Sequence, residues 1–222
     1  VDQNIPVHKG HAIYEARPAR GKKRIRGAVL CPLNSDGTLR SETRRVIDCD
    51  GIAMSVGWSP NGGLIYQAGG RFSHSENIEQ LMPSELPTGV FAAGRVNGVF
   101  ALDDQIDDGF RAGLSAAQFL GRYEGEIPES VLHTGSAPTH SFPIFAHPAK
   151  KNFVDLDEDL HLADFKNAHQ EGYDNIELMK RFTTVGMGPT QGKLSNINAV
   201  RILARLNDCL LYTSDAADEW IG

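Results

Sequence analysis

The stretch Gly89-Val-Phe-Ala-Ala-Gly-Arg-Val-Asn-Gly98 holds the residue types and spacing best suited to holding a ligand. Val90 to Ala93 is a short apolar run of strand-like character, and Gly94 ends it where a backbone can approach a ligand closely. Arg95 follows as a donor-only cation suited to phosphate, and Gly98 permits a further turn. A helix is expected over residues 101–120. Ile106, Phe110, Gly113, Ala117 and Leu120 fall on one face of it. Asp103, Asp104, Asp107 and Asp108 crowd its first turns, where the helix dipole favours negative charge, and Gly121 stands at the C-cap. Buried strand, glycine turn and small-residue helix is how dinucleotide folds bring backbone against a cofactor. Any α/β crossover shares the pattern, and these residues alone leave the two readings open.

The elements that would position this stretch lie on either side. Residues 12–15, 28–33 and 45–49 read as strands of a β-meander, with Asn34-Ser-Asp-Gly37 as a turn between the second and third. Ile52 to Val56 suits a buried parallel strand released by Gly57 into a Pro60-Asn61 turn. Gly62-Gly63 and Gly69-Gly70 read as a loop leading to the Val90 run. From Glu124 to Lys150 the chain is punctuated by Pro128, Pro138, Pro143 and Pro148, which predicts a linker or a loop draped over a neighbour. His133, His140 and His147 recur there every seven residues, but no Cys or carboxylate cluster completes a metal site, and a solvated linker is the better reading. Three short helices follow. The first carries Leu162, Phe165 and His169 and closes at Gly172, the second spans Ile176 to Phe182, and the third is capped by Ser195-Asn196 and runs to Leu206. Their core is small, so docking on the first domain or on a partner chain is expected.

Composition sets outer bounds. The chain has 222 residues, is 41% hydrophobic and 23% charged, and carries 23 glycines, an ordinary balance for a soluble globular protein. Its net charge of −6 argues against nucleic acid, and Lys22-Lys23-Arg24 is a short basic patch, not a binding face. No apolar run approaches the roughly 18 residues of a membrane span. Cys31, Cys49 and Cys209 form neither a disulfide framework nor a CxxC pair, which fits a cytoplasmic location. Gly186-Met-Gly-Pro-Thr-Gln-Gly192 suggests a phosphate fingerprint only superficially: its third glycine is one residue late and a helix precedes it. Anion contact by Thr183, Thr184 or Lys193 is left open.

Residues 49–61, with Gly89–Gly98 and its helix, resemble the C-terminal half of a pyridine-nucleotide-disulfide-reductase-type flavoprotein domain. The segments Phe153-Val-Asp-Leu-Asp-Glu-Asp-Leu160, Glu171-Gly-Tyr-Asp174 and Lys180-Arg-Phe-Thr-Thr-Val-Gly-Met-Gly-Pro-Thr-Gln-Gly-Lys-Leu-Ser-Asn196 resemble the small module found next in the α subunits of heterotetrameric sarcosine oxidases. The fold class is then α/β, a partial Rossmann-like domain with a β-meander followed by a small helical module. Residues 1–123 form the half-domain, 124–151 the linker, 152–207 the module and 208–222 a non-native tail resembling adapter read-through. The absent front half would carry a G-x-G-x-x-G fingerprint.

The resemblance implies oxidation of sarcosine to glycine with release of hydrogen peroxide and one-carbon transfer to tetrahydrofolate. It implies NAD at this subunit, FAD and FMN in the parent complex, and β, γ and δ subunits as partners. Gly57, Trp58, Pro60, Gly94, Arg95, Val96 and Gly98 are the expected cofactor-binding residues, and the catalytic residues are not identified. Related opine or proline dehydrogenase subunits, and a non-catalytic docking subunit, are the competing readings. Two departures from the pattern stand out. Related modules hold a [2Fe–2S] cluster on four cysteines, and the corresponding positions here are Asp155, Asp157, Thr190 and Ser195, so no cluster is expected. Arg95 replaces an Asp that binds flavin ribityl hydroxyls in many flavoproteins, which favours a phosphate contact, unless it pairs with Asp103 or Asp104.

Overall fold

Alternating residues and two glycine turns build the first part of the chain into antiparallel strands. In the computed structural model, residues 5–55, 57–129, 139–149, 151–193 and 195–208 are described. Strands β1 (His11–Pro18), β2 (Ile25–Pro32) and β3 (Arg45–Asp48) form a three-stranded antiparallel meander in that order, as the sequence predicts. The Asn34–Gly37 turn closes with the Gly37 N–H donating to the Asn34 carbonyl at 3.0 Å, while Asp36 accepts from both the amide and hydroxyl of Thr38. Cys31 is fully buried on β2, and burial pushes its thiol pKa up.

Three local expectations fail. Residues 52–55 form no strand and Met54 is exposed, while Val56 lies outside the described residues. Val90–Ala93 is likewise extended coil. A parallel strand is held by ladders to its neighbours, and none of the sheets among the described residues includes these runs. Conversely, the expected Gly62–Gly70 loop contains helix α1 (Gly63–Gln67), and it leads into a hairpin, β4 (Arg71–Ser75) with β5 (Gln80–Glu85). Phe72 and His74 alternate inward on β4, and Phe72 stacks on Tyr66 at 4.4 Å.

Helix α2 (Leu102–Phe119) forms as expected and ends in a Schellman-type cap, with Gly121 at φ 66° and the Arg122 N–H donating to the Ala117 carbonyl. Its apolar face, however, is turned outward: Ile106 and Phe110 are each 62% exposed, and Asp104 and Asp108 are the buried residues. The reason is the recruitment of Asp108 by backbone in the preceding turn, described below.

The remaining elements are a short hairpin, β6 (Phe153–Asp155) with β7 (Leu160–His161), and helices α3 (Leu162–Gln170), α4 (Ile176–Thr183) and α5 (Asn196–Leu206). They enclose an apolar cluster that includes Phe165, Met179, Val185, Ala199 and Leu203. Gly172 at φ 92° and Asn175, which caps α4 by accepting from the Glu177 N–H at 2.9 Å, set the α3–α4 turn. Six consecutive residues of α5, Ala199 to Ala204, are buried, so this helix is covered all round. Part of the cover comes from outside the module. Arg201, only 3% exposed, pairs with Glu79 of the β4–β5 turn at 3.3 Å and donates to the His140 carbonyl, and Arg205 lies 4.2 Å over the Phe142 ring.

Candidate functional site

Two of the sequence-predicted segments meet. Gly94–Asn97 forms a 3-10 turn, entered at Gly94 (φ 74°) and left at Gly98 (φ 76°), both in the left-handed region that favours glycine. The Gly94 N–H donates to Asp108 Oδ2 at 2.8 Å, and the Asn97 amide donates to both Asp108 oxygens at 3.3 and 3.4 Å. Asp108 thus holds the turn against the first half of α2, a positioning role that helix-dipole reasoning alone does not reveal. Behind the turn, a Cβ at Gly98 would stand 2.8 Å from the Met82 methyl, whereas one at Gly94 would meet nothing within 4 Å. Gly94 therefore faces open space.

Beside Arg95 stands Trp58. Thr139 fixes it from both sides, accepting from its N–H at 3.1 Å and donating to its carbonyl at 3.4 Å. Gly57, at φ 149°, sits where a Cβ would come within 3.1 Å of the Thr139 methyl. The indole is 43% exposed, and the Arg95 guanidinium lies 4.1 Å from its ring centroid. A guanidinium stacked in this way is held in its plane while its N–H edge remains free to grip a phosphate or carboxylate. Val96 and Pro60 are half-buried. The Trp58–Arg95 stack thus joins the two segments, with Gly57 and Gly94 adjacent in the chain, in a planar ring, a stacked cation and open space beside a glycine. These features suit the phosphate end of a nucleotide.

The four positions Asp155, Asp157, Thr190 and Ser195 converge in pairs. Asp155, 3% exposed, accepts from the Ser195 hydroxyl at 2.8 Å, the Gly186 N–H at 2.9 Å, and the Asp157 and Glu158 amides at 2.9 and 3.4 Å. Burial by itself raises its pKa, but these four donors outweigh burial and hold it below the usual carboxylate range. Asp157 accepts from both the amide and hydroxyl of Thr190, at 2.9 and 2.5 Å. Ser195 consequently does not cap α5 with its side chain, as its sequence position suggests, because the hydroxyl is committed to Asp155. The glycine-rich segment from Thr184 to Ser195 is tied at both ends to the β6 hairpin. Asn196 fills the space that a Cβ at Gly186 or Gly192 would enter, and both glycines are in the left-handed region.

The remaining candidates are absorbed locally. Thr183 donates to the Met179 carbonyl within α4, and Thr184 donates to Glu158 at 3.0 Å. His140 and His147 each accept the N–H of the residue two positions on, while His133 lies outside the described residues. Among the described residues, no group of three His, Cys, Asp or Glu side chains is arranged to hold a metal ion. None of the helices described is long and apolar enough to cross a membrane.

The fold is of the α/β type. It superposes on the crystal structure of L-proline dehydrogenase from P. horikoshii with a TM-score of 0.63, over 91% of this chain and 40% of that one, at 17% identity. Residues 149–214 match the family described as the sarcosine oxidase A3 domain. The chain is 32% identical to the sarcosine oxidase subunit alpha of Rhizobium meliloti, over 87% of this chain and 21% of that protein. It is 24% identical to the same subunit of Corynebacterium sp. (strain P-1), over 92% of this chain and 22% of that protein. The chain is similar to sarcosine oxidase α subunits along most of its length, and it spans about a fifth of those relatives. The domain match continues to residue 214, into the segment read from sequence as a non-native tail, of which residues 209–222 lie outside the described residues.

Proposed function

We propose that this chain is part of an oxidoreductase subunit acting on the CH–NH bond of sarcosine, within a flavin-dependent assembly that yields glycine and hydrogen peroxide and passes a one-carbon unit to tetrahydrofolate. The observation carrying the reading is the similarity to sarcosine oxidase α subunits along 87% of the chain. In this reading Gly57, Trp58, Pro60, Gly94, Arg95, Val96 and Gly98 form one wall of a dinucleotide site, with NAD as its occupant. The bound dinucleotide would supply hydride chemistry. The chain's own contribution is to bind phosphate at Arg95, orient that cation on Trp58 and keep the approach over Gly94 open. FAD and FMN belong to the wider complex, whose β, γ and δ subunits are the partners, in the cytoplasm. The half-domain through residue 123, the proline-rich connection to 151 and the helical module to 207 are its working divisions.

The same reading makes the helical module free of any [2Fe–2S] cluster. Clusters of this kind take soft thiolates, whereas Asp155, Asp157, Thr190 and Ser195 present hard oxygens already bonded to one another. Their hydrogen bonds do the mechanical work of closing the 184–195 loop. Peroxide release by the intact parent complex, measured with sarcosine, L-proline and an opine in parallel, tests the proposal. Turnover of sarcosine in preference to the other two supports it, and no turnover of sarcosine overturns the substrate assignment.

A further inference from the structure

The basic residues are unevenly placed. Arg17, Arg20, Lys22, Lys23, Arg24 and Arg26 fall within ten residues, and no Asp or Glu lies between Glu15 and Asp36, on a chain of net charge −6. They surround the β1–β2 turn. The ladder there is irregular, because Arg17 pairs with Gly27 and Pro18 with Ile25, leaving Arg26 as the extra residue of a β-bulge. A bulge re-aims the side chain of the residue it inserts. Here Arg26 lines the same cleft as Arg17, together with Pro18, Gly27, Val46 and Asp48, in a volume of about 240 Å³. Gly27 forms part of the floor: it pairs with Asp48 on β3, and a Cβ there would stand 2.8 Å from the Ile47 carbonyl oxygen. Among the described residues neither guanidinium has a carboxylate within ion-pair distance, although Asp48 lines the same cleft.

We infer that this cleft is a binding site for a small phosphorylated polyol, separate from the Trp58–Arg95 wall. Two forked guanidiniums supply paired donors for a phosphate, the chemistry at which arginine excels. The Asp48 carboxylate repels a bare anion but accepts hydrogen bonds, so it selects a phosphate carried next to a hydroxyl. The cleft is of a size for a sugar phosphate. An extended acidic protein surface would instead need a broad face.

Titration calorimetry of the intact chain at low salt, with ribose 5-phosphate, inorganic phosphate and ribose as probes, tests the inference. Ribose 5-phosphate is expected to saturate the site and to bind more tightly than inorganic phosphate, with ribose not binding. Arg17→Ala and Arg26→Ala should each weaken ribose 5-phosphate by about 10-fold, the scale of one charge-assisted pair, while the double variant Lys22→Ala/Lys23→Ala changes it by less than about 3-fold. Asp48→Asn should weaken ribose 5-phosphate without weakening phosphate. Arg17, Lys22, Lys23, Arg26 and Asp48 are all exposed, and far-UV circular dichroism of each variant checks that the fold is intact. No saturable binding, or equal losses at the arginines and the lysines, overturns the cleft as the site. Preference for a poly-glutamate peptide over ribose 5-phosphate overturns the ligand class and points to an acidic protein partner.

Discussion

Replacing Asp155 with alanine removes the acceptor on which the 184–195 loop closes. In the native chain that carboxylate receives four hydrogen bonds, two of them from groups more than thirty residues away in sequence, the Gly186 amide and the Ser195 hydroxyl. An unsatisfied buried donor costs about 1–3 kcal/mol, and hydrogen bonds to a charged acceptor lie toward the upper end. The Gly186 amide and Ser195 hydroxyl lose a buried partner outright, while the Asp157 and Glu158 amides lie nearer solvent. The expected destabilisation of Asp155→Ala is therefore about 3–5 kcal/mol, and Ser195→Ala, which removes one donor and leaves the others bonded, should cost about 1–2 kcal/mol. Urea unfolding followed by circular dichroism reads both values, and amide hydrogen exchange at Gly186 and Thr190 localises the loss. The sign of the pH dependence follows from the lowered pKa of Asp155. Its stabilisation is complete above the carboxyl pKa of the unfolded chain, near 3.8, and is lost as pH falls below it toward the folded value. A loss below about 1 kcal/mol for Asp155→Ala, or one no larger than that of Ser195→Ala, would refute the reasoning.

Other consequences follow from the same geometry. Asp108→Ala should free the Gly94 amide and the Asn97 side chain and destabilise the 94–97 turn by about 2 kcal/mol, read as faster exchange of the Gly94 and Val99 amides. Burial lowers the His74 pKa despite the neighbouring Glu79 carboxylate, so stability should fall as pH drops below the unfolded value near 6.5; His74→Gln should remove that component from urea titrations between pH 7.5 and 5.5. Gly98→Ala, at a left-handed position facing the Met82 methyl, should cost about 1–2 kcal/mol in thermal unfolding.

The helices of the small module are readable from sequence because local rules fix them: the spacing of Leu162, Phe165 and His169, and the stop at Gly172, act within a few residues. The β-meander is readable for the same reason, through its alternation and its Asn34–Gly37 turn. What escapes sequence reasoning depends on partners distant in the chain. An apolar run such as residues 52–56 or 90–93 becomes a strand only beside another strand, and the run alone does not say whether one is present. The β4–β5 hairpin is hidden because the inward residue His74 is polar, its place secured by Glu79 and Arg201 from α5. At the candidate site, Gly94, Arg95 and Trp58 are nameable from their types, but the Asp108 and Thr139 side chains that position them are not. Both act across long separations through single oxygen atoms. The pairing of Asp155 with Ser195, forty residues apart, is of the same kind.

The central claim is that the 57–60 and 94–98 segments form one cofactor-holding wall in which Trp58 orients Arg95. The most direct test is the dinucleotide retained by the intact parent subunit after gel filtration, for the native protein and for Arg95→Ala and Trp58→Ala. The account predicts NAD bound to the native protein, with retention reduced about 10-fold or more by Arg95→Ala and by a smaller factor in Trp58→Ala, where the cation remains but loses its platform. Equal NAD retention by all three proteins would contradict it.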